Sequence, residues 1–327
     1  MSPLRSAHAA GSHFVALRLA STLLAASASL TSVAAAQVFN CGDTIGPKAK
    51  VTLTADIETC TSATQPALTI IGPATVDMAG FRVRCDPNNP PAAGIQINGK
   101  GVKLRTGGVI NCGTGAGIFV AGEGKHKLED FAVEDANNDG IRIVSDKNTL
   151  KRVSSNDNGG DGIELDGDGN KLEDVVTIGN GGDGFETDSD KNQFKRITAT
   201  GNDATGMNFD GGMLNKVKEG VFIGNDGDGI NVATAGNKIE KSVVATNTGD
   251  GVEILADNTQ LKKSRAYANT ECGVDVTAQN NTMSGNTSLG HGCDMNDDNA
   301  TCDNNKWKKN VFGISEAGGV AGDPCID

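Results

Sequence analysis

The sequence predicts an all-β fold: a single-stranded, right-handed parallel β-helix, or solenoid, of about ten coils of 22 to 23 residues. Three observations predict it. A glycine ahead of an apolar–x–apolar triplet recurs at Gly94, Gly117, Gly140, Gly162, Gly184, Gly206, Gly229, Gly251 and Gly273, in steps of 22 or 23. The residues one and three after that glycine are mostly apolar, as in Ile141/Ile143, Ile163/Leu165, Met207/Phe209 and Val252/Ile254, which is the alternation of a strand with one buried face. Aromatic residues make up 4% of the chain against 44 Gly, so the core is built from small aliphatic side chains in a regular array.

Each coil carries a second apolar position ten or eleven residues on (Leu128, Leu150, Leu172, Phe194, Val217, Ile239), and several a third in Val153, Val175 and Ile197. Two or three short strands separated by polar turns follow. A coil of this length cannot bury its own apolar residues, but stacking coils about 4.8 Å apart buries each against the next. Like residues then align into ladders. Asn recurs at one turn in Asn148, Asn170, Asn192, Asn215, Asn237 and Asn281, and at another in Asn158, Asn180, Asn202, Asn225, Asn247 and Asn269. Asn tolerates left-handed turn geometry and stacked amides hydrogen-bond along the axis, so both series read as structure. The pairs Glu129-Asp130, Lys151-Arg152, Glu173-Asp174 and Lys195-Arg196 alternate in sign from coil to coil, as cross-strand pairing favours, and also read as scaffold.

Residues 1–36 read as a signal peptide: Arg5 and Arg18 precede an Ala-rich apolar run ending at Ala34-Ala35-Ala36 before Gln37. The β-helix domain is then 37–327, expected outside the cytoplasm, secreted or periplasmic, with no membrane span. Removing the leader leaves 27 basic against 41 acidic residues, a net charge of −14, which argues against nucleic acid and anionic membranes as partners. The eight cysteines, Cys41, Cys60, Cys85, Cys112, Cys272, Cys293, Cys302 and Cys325, fall in two groups of four at the ends, an even count that reads as disulfide clamps. Proximity pairs Cys41 with Cys60, Cys85 with Cys112, Cys272 with Cys293 and Cys302 with Cys325.

The segment Gly160-Asp161-Gly162-Ile163-Glu164-Leu165 and its repeats Gly182-Asp183-Gly184-Phe185 and Gly227-Asp228-Gly229-Ile230 resemble the secreted right-handed parallel β-helix proteins of the pectate-lyase-like superfamily. The resemblance covers nearly all of the mature chain and implies the fold. It implies little about activity, since that fold hosts lyases, hydrolases, epimerases and adhesins. The polygalacturonase motifs are incomplete: Gly290-His291-Gly292 is present without a following Arg-x-Lys, and Asp297-Asp298 comes after it rather than before. The alginate epimerase motif Asp-Pro-His is absent. The two histidines outside the leader, His126 and His291, are expected at the surface.

Positions two and four after the repeated glycine point outward, and in the central coils they are acidic. Glu164, Asp166, Glu186, Asp188 and Asp210 form an expected carboxylate grid with neighbours about 5 Å apart. Like charges at that spacing repel and raise one another's pKa. A cation, calcium above all, would relieve them, or Lys147, Lys171 and Lys191 would fold over them. By analogy with pectate lyases, Arg142 is the candidate catalytic base. Two functions follow. A non-catalytic extracellular or surface binding or structural protein is favoured by the scarcity of His and Tyr and by the constant coil length. The alternative is a calcium-dependent uronate lyase-like or other carbohydrate-active enzyme. The partner is an acidic polysaccharide held through a cation. A late-strand stripe of Val176, Ile178, Val221, Ile223 and Val243 is apolar for an outward face and is expected to be covered by the C-terminal tail or a second copy, unless it belongs to the core.

Overall fold

The computed structural model describes residues 35–61, 65–298, 304–313, 315–317, 320–321 and 326. Among them every regular element is a strand, arranged in a 14-stranded and a 21-stranded sheet that are parallel apart from a final antiparallel pair. About twelve coils are present. The repeated glycine marks nine of them, and the rest lie at the ends. The expected leader lies outside the described residues except for Ala35 and Ala36, which pair with Val51 and Thr52.

One central coil explains the others. Ile163–Leu165 lies in the 14-stranded sheet with Ile163 and Leu165 buried and Glu164 directed outward. The chain turns inward through Asn170 and enters Lys171–Ile178 in the second sheet. That strand is bent at Asp174, whose φ of 56° is left-handed. Its first arm buries Leu172 and its second buries Val175 and Thr177. Asp130, Arg152 and Arg196 take the same conformation in their coils. A non-glycine residue there costs roughly 1–2 kcal/mol, partly offset by ion pairs between successive bends, Arg152 with Asp130 and Arg196 with Asp174. The alternating charges therefore act as scaffold, as their pattern predicts.

Both Asn ladders form and are buried. In the first, the backbone N–H of each Asn donates to the carboxamide oxygen one coil on: Asn148 to Asn170 at 2.8 Å, Asn170 to Asn192 at 2.7 Å, Asn192 to Asn215 at 2.8 Å. Thr259 interrupts the series and donates to Asn281. In the second, Asn158, Asn180, Asn202, Asn225 and Asn247 each donate both backbone N–H and Nδ2 to the next carboxamide oxygen. A third, unforeseen ladder joins Gly220, Ser242, Ser264, Asn286 and Asn310.

The histidines are not surface residues. His126 is fully buried at the head of the first ladder, where its Nδ1 accepts from the Val102 N–H and its own N–H donates to Asn148. His291 is 8% exposed and ends the second, its Nδ1 accepting from the Asn269 N–H. An imidazole nitrogen takes the place of a carboxamide oxygen at each ladder's end, so Gly290-His291-Gly292 serves the scaffold.

The repeated glycine is dictated by space rather than by φ. A Cβ on Gly184 would lie 2.7 Å from the Gly206 carbonyl oxygen, 2.6 Å from Ala199 Cβ and 2.8 Å from Asn202 Nδ2. The late-strand stripe keeps its register, with Val176, Thr198, Val221 and Val243 as successive partners. It points outward, not into the core, and Ile178 is 43% exposed, so no described segment covers it. Cys41–Cys60, Cys85–Cys112 and Cys272–Cys293 are disulfides, the last joining register partners in adjacent coils. Cys302 and Cys325 lie outside the described residues.

Asn192→Ala is expected to lower stability markedly. It strands the Asn170 N–H and three buried acceptors around Ser189 and Thr187, at about 1–3 kcal/mol for an unsatisfied buried group. The exposed neighbour Gln193→Ala should change little, within about 0.5 kcal/mol. Thermal melts of the two variants check this, and equal melting temperatures would count against a ladder that holds the coils.

Candidate functional site: an acidic face on the 14-stranded sheet

The outward column of this sheet reads, by register, Gln96, Phe119, Arg142, Glu164, Glu186, Asn208, Asn231, Glu253, Asp275 and Asn296. The ladders fix this alignment, so residues 22 or 23 apart become neighbours. A second column carries Asp166 and Asp188. The pairing then shifts: Asp188 meets Gly211 rather than Asp210, because the coil after Gly206 holds one extra residue and bulges. The 23-residue step from Gly206 to Gly229 is its signature. Asp210 still reaches the cluster, with carboxyl oxygens of Glu186, Asp188 and Asp210 within 4.8 Å of one another.

Arg142 caps the grid at one end. Its Nη2 lies 3.1 Å from Glu164 and 2.9 Å from Asp166, and its Nε donates to the same Asp166 oxygen at 3.1 Å. Although burial alone would lower the guanidinium pKa, these carboxylates leave it raised, and in this setting the group is a counter-ion. Lys147 and Lys171 form no ion pair among the described residues, and Lys191 reaches only Asp190, at 4.0 Å, so the lysines do not neutralise the grid.

The structure adds a third column that the alternation did not reveal. Asp139, Asp161, Asp183, Asp228 and Asp250 each stand immediately before the repeated glycine. Each accepts a backbone N–H from the following coil, as Asp139 does from Asp161 (3.2 Å) and Asp161 from Asp183 (2.6 Å). Their side chains also meet the outward acid of a coil further on: Asp139 meets Glu164, Asp161 meets Glu186 and Asp228 meets Glu253. At the fourth such place Asn208 replaces the acid and donates to Asp183 at 2.9 Å. The repeated Gly-Asp-Gly carried this signal, but it reads first as turn chemistry.

In each acid pair the glutamate is pushed towards its protonated form. Burial, with the Asp139 carboxylate beside it, pushes Glu164 up to about 8. The hydrogen bond to Asp161, with burial, pushes Glu186 up to about 9. Burial raises Asp183 to about 6, and raises Asp250 and Glu253 to about 7. Four sets of three carboxyls approach within 4.8 Å and could hold a cation: Asp139/Asp161/Glu164, Asp161/Asp183/Glu186, Glu186/Asp188/Asp210 and Asp250/Glu253/Asp275. Of the five grid residues expected from sequence, Glu164, Glu186, Asp188 and Asp210 enter such sets, while Asp166 is taken up by Arg142.

Residues 146–288 match the family model described as a right-handed β-helix region. The chain is a right-handed parallel β-helix. No curated protein matches it in sequence. Among solved structures this β-helix is similar to the A-modules of the Azotobacter vinelandii mannuronan C-5 epimerases AlgE4 and AlgE6. Each has a TM-score of 0.61 at 15% identity, over 84% of this chain and 87% of theirs. It is also similar to the periplasmic alginate epimerase AlgG, with a TM-score of 0.55 at 13% identity over 77% and 79% of the two chains. Identities this low establish the shared β-helix and nothing finer.

The shared protons make stability depend on pH. Glu164 and Glu186 bind protons more tightly folded than unfolded, where a glutamate titrates near 4.5. The stability this contributes is full below that value and is lost as pH rises through about 8 and about 9. The melting temperature is therefore expected to fall across this window. Glu186→Gln, which keeps a donor opposite Asp161, should flatten the fall. A melting temperature that rises or stays level over the same window would contradict the shared protons.

Proposed function

We propose that the protein is an exported, non-catalytic carbohydrate-binding β-helix, whose acidic sheet face holds acidic polysaccharide through calcium. The observation that carries this reading is the close approach of carboxyls, from buried Asp139 and Asp250 to exposed Asp188 and Asp210, on firmly paired coils, within 4.8 Å in four sets. Ca²⁺ takes six to eight oxygens and would replace the shared protons, while water or sugar oxygens fill the positions that flat strands leave open. A hollow of about 510 Å³ adjoins the grid, lined in part by Gln96, Phe119, Asn138, Arg142 and Val144. It offers an apolar ring beside polar groups, as a sugar's two faces require. The fold is shared with enzymes named for mannuronan and alginate, and the three disulfides suit an oxidising compartment outside the cytoplasm.

The non-catalytic reading is favoured because the central coils keep one length and raise no loop walls over the grid. The candidate base, Arg142, is tied to two carboxylates and would have to leave them to accept a proton. A uronate lyase-like or other carbohydrate-active enzyme is the second reading. It is favoured by Glu164 and Glu186, which hold protons near neutral pH and could donate them. A second copy seated on the Val176–Val243 stripe is compatible with either.

Titration calorimetry with Ca²⁺ tests the site. The wild type should bind weakly, with Kd about 10⁻³ M, and Glu186→Gln with Asp188→Asn, which takes ligands from two of the four sets, should lower the heat. Polygalacturonate should be retained more strongly with Ca²⁺ than with EDTA, and its chain length and saturation should stay unchanged. Shortened or unsaturated chains would replace the binding reading with the enzymatic one. An unchanged heat in the double variant would remove the two calcium sets built on Glu186 and Asp188.

A further inference from the structure

The first arm of the 21-stranded sheet carries a feature that the charge of the whole chain conceals. Its first outward column holds Lys103, Lys127, Lys171, Lys216, Lys238 and Lys306, and the coils between contribute only Thr or Gln. No acid enters this column, in a chain with 41 acidic and 29 basic residues. The neighbouring column behaves differently: Glu129, Lys151, Glu173 and Lys195 alternate and pair across coils, with Glu173 lying 3.6 Å from Lys151 and 3.2 Å from Lys195. Like charges directly opposite destabilise a sheet, and Lys103 with Lys127, and Lys216 with Lys238, are direct register partners. Within the column only Lys238 is paired in its own arm, with Glu240 at 2.9 Å, and Lys216 has no such partner among the described residues.

Towards the C-terminal end the whole arm turns basic. Successive coils from 193 to 309 read Gln-Phe-Lys-Arg, Lys-Val-Lys-Glu, Lys-Ile-Glu-Lys, Gln-Leu-Lys-Lys, Thr-Met-Ser-Gly and Lys-Trp-Lys-Lys, eleven basic residues against two acidic. Lys216, Lys241, Lys263 and Lys306 are exposed and form no ion pair among the described residues. A hollow of about 310 Å³ opens between the lysine stems at Lys195, Lys216, Lys218 and Lys238. Two more, of about 330 and 320 Å³, lie further along the same arm beside Lys103. Charge and relief together make a shallow basic track parallel to the coil axis, with steps of about 4.8 Å, comparable to the length of one sugar unit.

We propose that this lysine track is a docking surface for a linear anionic polysaccharide lying along the axis, engaged directly and without a divalent cation. The track is separate from the acidic face and does not rest on the reading of that face. A polysaccharide fits better than a nucleic acid on two counts. The outward side chains of the arm include no aromatic ring on which bases could stack. A duplex carries one charge per about 1.7 Å and would be repelled strongly by a chain of net charge −14, whereas a uronate polymer carries one charge per sugar.

The test is retention of polygalacturonate by the mature protein in EDTA at low salt, with dextran and single-stranded DNA in parallel. Binding to polygalacturonate alone is expected, weakening as salt rises. The combined variant Lys216→Gln, Lys238→Gln, Lys241→Gln and Lys263→Gln should bind at least about tenfold more weakly with an unchanged melting temperature. Arg at the same four positions should restore binding. Binding lost in EDTA, binding unchanged in the Gln variant, preference for DNA, or no retention at all would each overturn the proposal. So would sedimentation showing that the four lysines join copies of the chain and do not alter glycan retention. Glu186→Gln with Asp188→Asn, which weakens the proposed calcium sets, should leave EDTA-resistant binding intact, so failure of one face is distinguishable from failure of the other.

Discussion

The structure depends on one interaction: a turn side chain that accepts the backbone N–H of a neighbouring coil. Backbone pairing between coils runs along the strands and through parts of the turns, as from Gly159 to Ala136, but the N–H groups of residues such as Asn148 and Asp183 go to side chains, and a buried N–H left without an acceptor is costly. Asn fills the inner turns, as where Asn170 accepts from Asn148, and there the bonds point from each coil to the next. Asp fills the turn before the repeated glycine, and there the donor is the later coil, as where Asp183 donates to Asp161. Each coil is thus tied to the next in both senses. The ladders end where an imidazole can do the same work, at His126 and His291.

This constraint sets the register, and the register turns sequence into surface. Because residues 22 or 23 apart are held as neighbours, a preference at one position of the repeat becomes a column on the molecule. The same device yields a buried apolar column, a bend of alternating charges, an acidic face and a basic track. The strands separating these surfaces are too short and too firmly paired to let a side chain cross from one to another. Lysines from the turns accordingly leave the carboxyl grid to find its own compensation, through Arg142 at one end and shared protons elsewhere.

The fold was legible because its causes are periodic. Apolar alternation after Gly140 or Gly162, the Asn series and the sign alternation at Glu129, Lys151, Glu173 and Lys195 each repeat at one interval, and three cysteine pairs obeyed proximity. The site was legible only where it shared that period. Glu164, Glu186 and Asp188 follow from alternation, whereas Asp139 and Asp161 sit in the turn, where an acid reads as turn former before it reads as part of a cluster. Asp210 was placed one residue out because a bulge cannot be seen in polarity alone. The histidines were misjudged for a different reason: a lone His carries no periodic partner, since its partners are asparagines of the same ladder. The lysine track was hidden by the net charge, a sum that discards position.

The two charged faces respond to crowding in different ways, and this follows from their chemistry. Neighbouring carboxyls can share a proton, and burial lets them do so near neutral pH, as at Glu164 and Glu186. Burial and neighbouring carboxyls thus push these two glutamates towards their uncharged form. Lysines have no such recourse, since an ammonium carries only donors and cannot share a proton with another ammonium. The acidic face can lower its own repulsion by taking up protons or a cation. The basic track lowers part of its repulsion through acids of its own arm, as Lys238 does with Glu240, and the rest with an anion from outside the chain or with ions of the solvent. A scaffold held by backbone and amide ladders tolerates that standing cost, because its Asn turn bonds do not involve the lysines at its surface.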